Sequence, residues 1–237
     1  MLSYTIFPLG DAAATLDLGN HIDQELNFRV RAMQKWFLDH HLEGVKDIVR
    51  GYSSLTIHYD PVIIMKTNRQ SGFSAFQVIK NKLEECAGQP GSDLAFDPPN
   101  LIRIPVCYDE ALGNDLRQIS KVKEIPIEKI IDLHCGIAYH IHLIGFLPGF
   151  PYMATLDDRL NIPRKASPVA VAAGSVGIAG KQTGIYSVPS PGGWHIVGKT
   201  PIKLFDPSLG QPVFLQNFTE AEFYPISQEE FQESTWG

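Results

Sequence analysis

Apolar positions recur along this chain in two different rhythms. Residues 4–9 (YTIFPL) and 12–18 (AAATLDL) are short apolar runs either side of Gly10-Asp11, which predicts a hairpin. Between residues 22 and 42 the spacing changes. Ile22, Leu26, Val30, Met33 and Phe37 fall on one face of an amphipathic helix, with Arg29, Arg31, Gln34 and Lys35 elsewhere and Asn20 placed to cap its start. Residues 45–59 return to β-branched and aromatic runs, VKDIVRGY and LTIHYD, and predict two strands. Ser71 or Ser74 then opens a second helix through Phe76, Ile79, Lys80 and Leu83. The order β-β-α-β-β-α predicts a small α/β sandwich over residues 1–86, with its helices on one face of a sheet.

Periodicity stops at residues 87–99, where AGQPGSDLAFDPP is rich in turn residues, and this is the expected linker to a second domain, 100–237. Residues 101–106 read as a strand, and residues 115–122 and 126–135 as two short helices. The second helix has Ile127, Ile130, Ile131 and His134 on one face, and Gly136 is placed to end it as a C′ residue would. Residues 139–144 alternate and lead into a stretch, 144–207, that holds nine of the 20 glycines and eight of the 17 prolines. Its turns alternate with Val176, Ile178, Ile185, Tyr186, Val188, Trp194, Ile196, Val197, Leu204 and Phe205. A disordered Gly/Pro segment lacks such residues, so short strands and shaped loops are expected, continuing to about Pro225 as a compact β-barrel. The fold class read from the pattern is therefore α+β. The tail SQEEFQESTWG predicts a short helix at most.

Composition narrows the function. Hydrophobic residues at 44% and charged residues at 19% are ordinary for a globular protein. A net charge of −6 with no Lys/Arg-rich run argues against a nucleic-acid partner. No run of apolar residues is long enough for a membrane span, and MLSYTIFPLGD lacks the basic and apolar regions of a signal peptide. Three scattered cysteines, Cys86, Cys107 and Cys135, read as reduced thiols of a cytoplasmic protein.

Candidate chemistry concentrates in the glycine- and proline-rich stretch. The run from Gly174 to Gln182 has five residues between Gly174 and Gly180 and a glutamine after Lys181, so it fails the phosphate-loop pattern on both spacing and identity. A non-Walker anion loop and plain tight turns both remain open there. His134, His140 and His142 lack a fourth partner at ligand spacing, so no metal site is assigned, and His134 is expected to line an active site instead. Arg164, in Pro163-Arg164-Lys165, puts a guanidinium on a stiff loop, where its fork suits a carboxylate or phosphate; the bland alternative is a surface ion pair. Residues 190–194, Ser-Pro-Gly-Gly-Trp, present a ring that either covers a ligand or plugs the barrel end. No GxSxG elbow or HExxH pair is present.

The motifs GFLPGFPYM, PRKASP, AGSVGIAGKQTGIY and SPGGWHIVGKTPIKLFDP, with IDLH at 131–134 and FPLGDAAATLDLG near the start, closely resemble the family of 5-oxoprolinase B-type subunits, also called the allophanate hydrolase subunit 1 or sporulation-kinase inhibitor type. The resemblance implies a small N-terminal α+β domain followed by a cyclophilin-like β-barrel. It implies a non-autonomous subunit that acts with subunits A and C to open 5-oxoproline to glutamate, using ATP and Mg²⁺ in the assembled complex. It implies as catalytic residues His134 to move a proton, Arg164 to hold a carboxylate or phosphate, and Gln182 and Thr183 to orient the lactam. Substrate-binding positions carried over are Phe146, Pro148, Gly149, Phe150, Gly174, Ser175, Gly177, Pro191, Gly192, Gly193 and Trp194, with backbone N–H groups around Gly174–Gly177 as oxyanion donors. Two relatives of this type give alternatives: a regulatory protein that inhibits a sensor histidine kinase, and a carboxyltransferase or allophanate hydrolase-type subunit acting on a urea-like amide. The chain departs from the family pattern at Val171-Ala172-Ala173-Gly174, where VPAG is usual, and at Pro168-Val169, where a second Pro-Arg is usual.

Overall fold

The computed structural model describes residues 3–19, 21–69, 72–89 and 100–234, and the chain divides into two compact units, Met1–Pro98 and Pro99–Gly237. Residues 90–99 of the expected linker lie outside the described residues.

The first unit runs β1 (Thr5–Pro8), β2 (Ala13–Asp17), α1 (Gln24–Asp39), β3 (Val45–Arg50), β4 (Ser54–Tyr59), α2 (Pro61–Thr67) and α3 (Ala75–Ala87). Its sheet has the order β1-β2-β4-β3 with every pairing antiparallel. In α1 the apolar stripe buries Val30, Met33 and Phe37, as the spacing predicts, whereas Ile22 precedes the helix and is exposed. The cap is Asp23, whose carboxylate accepts the Leu26 N–H at 2.8 Å; the expected cap, Asn20, lies outside the described residues. Ser74 caps α3 by accepting the Gln77 N–H, while its rival Ser71 is not among the described residues. The β-β-α-β-β-α reading missed α2. Asp60 caps this seven-residue helix through the Val62 and Ile63 N–H groups, and Pro61 stands in its first turn. Only Ile64 of α2 is buried, so periodicity had no stripe to report. The core of this unit joins Leu16, Leu55 and Ile57 of the sheet to Met33, Phe37, Ile79 and Leu83 of the helices.

The second unit runs β5 (Leu101–Cys107), α4 (Leu116–Lys123), α5 (Ile127–Cys135), β6 (Ala138–Ile144), β7 (Pro151–Ala154), β8 (Val169–Val171), β9 (Ser175–Ala179), β10 (Gln182–Ile185), β11 (Ser190–Gly192), β12 (His195–Lys199), β13 (Glu220–Ile226) and α6 (Gln228–Glu233). Seven of these strands close a barrel in the order β10-β7-β6-β13-β5-β12-β9, and β8 pairs with β11 as a separate ribbon. Here β13 lies parallel to β5 over seven residue pairs, so the last strand closes the wall beside the first. Ile104, Tyr139, Met153, Ile178, Ile185 and Phe223 fill the interior.

Two details depart from the sequence reading. Residues 200–219 carry an isolated bridge, Phe205–Val213, where a continued run of strands was expected. Gly136 ends α5 at φ −77°, so it is not a left-handed cap; a Cβ there would stand 2.9 Å from the Asp132 carbonyl oxygen, and this close approach is what requires glycine. The left-handed cap belongs instead to Glu124, at the end of α4.

Each unit has its own apolar core, so each is expected to fold alone. Residues 1–98 and 99–237, expressed separately, should each melt in one cooperative transition. Gradual, non-cooperative melting of either piece would show that it draws on the other for its core.

Candidate functional site

Phe150 is the hub of an aromatic cluster in the barrel unit. Its ring is buried and lies 4.8 Å from Tyr152, 5.2 Å from Tyr186, 5.4 Å from Trp194 and 5.7 Å from Phe146. Phe146, Tyr186 and Trp194 meet it edge-on, the arrangement that ring quadrupoles favour. A tight loop presents these rings: Leu147 N–H bonds the Gly145 carbonyl and Phe150 N–H bonds the Leu147 carbonyl. Phe146 stands in it at φ +67°, 65% exposed. A left-handed phenylalanine with its ring in water is strained and poorly desolvated, the kind of feature found where a ligand or partner binds.

Arg164 completes this surface. Its guanidinium carbon stands 5.9 Å from the Trp194 ring, and among the described residues no carboxylate pairs with it. The neighbouring cations are all taken: Arg159 by Asp157, Lys165 by Asp115 and Lys181 by Asp158. Burial raises the phenol pKa of Tyr152 and of Tyr186, and the charge of Arg164 pulls against that rise in both. The guanidinium charge therefore reaches both tyrosines of the cluster.

One carboxylate holds this surface in place. Asp115 precedes α4 but makes no side-chain cap bond. Its Oδ2 instead accepts the Ile196 N–H at 2.6 Å and the Lys165 ammonium at 2.7 Å, while its own N–H bonds the Ile196 carbonyl. The second residue after Trp194 and the residue after Arg164 are thus tied to one buried charge. Lys165 N–H to the Gly193 carbonyl at 2.8 Å, and His195 Nε2 to the Pro163 carbonyl at 3.0 Å, close the same junction.

His134 lies elsewhere, inside the barrel. Its Nδ1 accepts from the Tyr108 hydroxyl at 2.7 Å, its Nε2 faces Thr183 Oγ1 at 2.8 Å, and its ring stacks on Phe223 at 4.6 Å. Thr183 donates to the Gly177 carbonyl, and Cys135 Sγ donates to the Tyr108 oxygen. Every donor therefore points the same way, and Nε2 carries the imidazole proton. Burial pushes the His134 pKa down to about 3, so the ring is neutral. His134 and Thr183, both expected as site residues, are thus brought together in a network inside the barrel.

The remaining expected positions separate into two groups. Phe146, Phe150 and Trp194 belong to the aromatic cluster, Gly192 packs on the Tyr186 ring, Gly193 faces Lys165 and Arg164, and Gly177 lies beneath Trp194, where a Cβ would come 3.2 Å from that of Trp194. Gly149 instead backs onto Leu204 and Phe205, while Pro148 lies in the loop before β7 and Pro191 in β11. Gly174 and Ser175 lie at the other end of β9, since Ser175 pairs with Lys199 while Ile178 pairs with His195. Their N–H groups bond the Tyr186 and Ala172 carbonyls, and β9 is paired on both edges, so this backbone does not supply the expected oxyanion donors. Gln182 begins β10, half-buried, opposite Ala154 and Ala179. The glycine run is a β-hairpin turning at Gly180-Lys181. His140 and His142 do share a side, their rings 4.7 Å apart, but no group of three potential metal ligands exists among the described residues. Tyr152, Tyr186 and Asp115 were missed. The tyrosines stood inside quoted motifs, and their only signal was an aromatic residue surrounded by glycine and proline.

Comparison with known proteins places this chain in a family. The model of the carboxyltransferase domain, subdomain C and D, matches residues 4–215. The chain is 34% identical over 229 residues to the B-type subunit of 5-oxoprolinase from Bacillus subtilis, covering 96% of this chain and 95% of that protein. It is 30% identical to the corresponding 5-oxoprolinase B-type subunit of Escherichia coli O157:H7, covering 92% and 94%. Among solved structures, a conserved uncharacterized protein from Pyrococcus horikoshii is 34% identical with a TM-score of 0.53, covering 96% of this chain and 100% of that one. The Kluyveromyces lactis urea carboxylase superposes with a TM-score of 0.73 at 21% identity, covering 97% of this chain and 22% of that chain; this likeness concerns the fold alone.

Two outcomes test the internal bonds. An unfolded histidine takes a proton near pH 6.5 and folded His134 only near pH 3, so between these values the unfolded chain binds more protons and stability falls as pH falls. The expected slope approaches about 1.4 kcal/mol per pH unit in urea titrations, and His134→Gln should flatten it; an unchanged slope in the variant would reassign it to other groups. Asp115→Ala should cost about 3–5 kcal/mol by stranding Lys165 and the Ile196 N–H, and Asp115→Asn less. A loss below about 1 kcal/mol would show that the carboxylate is not the tie.

Proposed function

The chain belongs to the family of 5-oxoprolinase B-type subunits, and from that premise we propose that it is the B-type subunit of an ATP-dependent 5-oxoprolinase, opening 5-oxoproline to glutamate together with subunits A and C. Arg164 carries this reading: an exposed guanidinium without a carboxylate partner among the described residues, standing over Trp194 beside Phe150 and Tyr152. 5-Oxoproline is a small, flat ring bearing one carboxylate. The fork of Arg164 grips the carboxylate through two N–H bonds, and the aromatic surface packs the ring and excludes water from it. Phe146, exposed and held in a left-handed turn, stands at the edge of this surface, where a bound ring would cover it.

The other half of the chemistry falls outside this chain. An unactivated lactam resists water, and ATP supplies the energy by making its carbonyl oxygen a phosphate leaving group. The described residues do not fit that cofactor. No cluster of three His, Cys, Asp or Glu is placed for Mg²⁺, and Lys181 of the glycine hairpin is committed to Asp158. ATP and Mg²⁺ are therefore assigned to the assembled enzyme, and no step is routed through this chain. A neutral, enclosed His134 leaves proton movement to the partners as well. Three free cysteines fit a reducing cytoplasm.

With subunits A and C present, Arg164→Ala should lower kcat/KM by about ten- to a hundredfold, because a charge-assisted pair contributes about 1.5–3 kcal/mol. Arg164→Lys should recover only part of it, since an ammonium keeps the charge and loses the fork. The chain by itself should release no glutamate from 5-oxoproline, ATP and Mg²⁺. Full activity of Arg164→Ala in the assembled enzyme, or turnover by the isolated chain, would overturn this assignment.

A further inference from the structure

At the far end of the β9–β12 ladder the barrel unit has a second concave site, a cavity of about 300 Å³ whose walls include Gly174, Ser187, Lys199, Thr200, Lys203 and Phe231. The register sets its distance from the aromatic cluster. Lys199 lies four residues along β12 from His195, or roughly 13 Å at the rise of an extended strand. It is thus a different place from the Arg164 surface, and nothing in the proposed lactam chemistry uses it.

Two lysines line this cavity in a chain whose net charge is −6. Lys203 is held by Asp206, Nζ to Oδ2, at 2.7 Å. Lys199 has no ion pair among the described residues. Its stem lies across Gly174, where a Cβ would come 3.4 Å from Lys199 Cε and 2.5 Å from the Thr200 carbonyl oxygen, at φ +79°. Glycine there lets the lysine lie flat against the backbone. Ser187, on the same wall, is 6% exposed, and its buried hydroxyl has no hydrogen-bond partner. A buried hydroxyl without a partner destabilises a fold unless something meets it. Thr200 Oγ1 accepts the Ile202 N–H at 3.3 Å, which leaves its own proton free to donate.

We propose that this cavity binds the phosphate group of a small molecule, with Lys199 as the principal charge and Ser187 as the hydroxyl donor. Ammonium groups are point charges without a fork, and together with hydroxyls they suit an oxyanion that accepts from several directions better than a planar carboxylate. The volume lies at the lower end of ligand pockets, about 300–1,000 Å³, and admits inorganic phosphate or a small monophosphate ester. The proposal does not rest on the lactam reading.

The test is binding to the full chain alone, by calorimetry and by thermal shift at constant ionic strength. The probes are inorganic phosphate, glycerol 3-phosphate, 5-oxoproline and glutamate. Inorganic phosphate should bind and raise Tm, and Lys199→Gln should weaken that binding about tenfold or more. Ser187→Ala should weaken it severalfold while the ligand-free Tm stays level or rises, a combination that a purely structural hydroxyl does not produce. Tighter binding of glycerol 3-phosphate would identify an ester as the ligand, and tighter binding of inorganic phosphate the free ion. Absence of phosphate binding at millimolar concentration overturns the proposal, as does undiminished binding by Lys199→Gln or binding of the carboxylates alone. The readout needs no other subunits, so failure here and failure of the lactam reading are separate results.

Discussion

A buried carboxylate with two cationic or N–H partners has little freedom, and Asp115 uses that rigidity to hold three separate pieces of chain together. Its Oδ2 meets the backbone of β12 and the ammonium of Lys165, and its own residue begins α4. The loop bearing Arg164 and the segment bearing Trp194 would otherwise be two irregular stretches about thirty residues apart in sequence. Coupling them through one charge fixes the guanidinium relative to the indole. That is what allows a flexible side chain to act as part of a surface. The charge is tolerated inside because both partners satisfy it; removing Lys165 would leave an unpaired carboxylate in a poorly solvated place.

The barrel interior follows the same rule with neutral groups. Cys135, Tyr108, His134, Thr183 and the Gly177 carbonyl form a directed series of hydrogen bonds across an otherwise apolar core. Each oxygen or nitrogen in it is paired, so the series adds direction to the packing instead of a desolvation penalty. It ends on Gly177, directly beneath Trp194. The interior network and the aromatic surface are therefore back to back, sharing one strand.

Closure of the barrel separates what the sequence keeps together. Since β12 runs antiparallel to β9, Gly177 and Trp194 come together at one end, and Gly174 and Lys199 at the other. One strand's length then divides the aromatic surface around Phe150 from the lysine-lined cavity. Both lie within a single glycine- and proline-rich stretch.

Sequence alone determined the elements whose cause is local. The helical stripe Val30, Met33 and Phe37, the hairpins of the first sheet, the loss of periodicity after residue 86 and the short strands of the second half all follow from side-chain spacing and turn residues. Residue types and turn chemistry singled out Arg164 and the Ser-Pro-Gly-Gly-Trp turn as candidates, and motif resemblance added Phe150. Sequence did not find α2, which buries one residue, nor the parallel pairing of β13 with β5, which joins segments more than a hundred residues apart. It also could not tell that His134 and Thr183 face inward while Phe146 faces water, because residue type fixes chemistry and not enclosure. Whether a histidine is an acid–base group or a neutral link depends on what surrounds it on every side, and barrel closure alone brings those neighbours together.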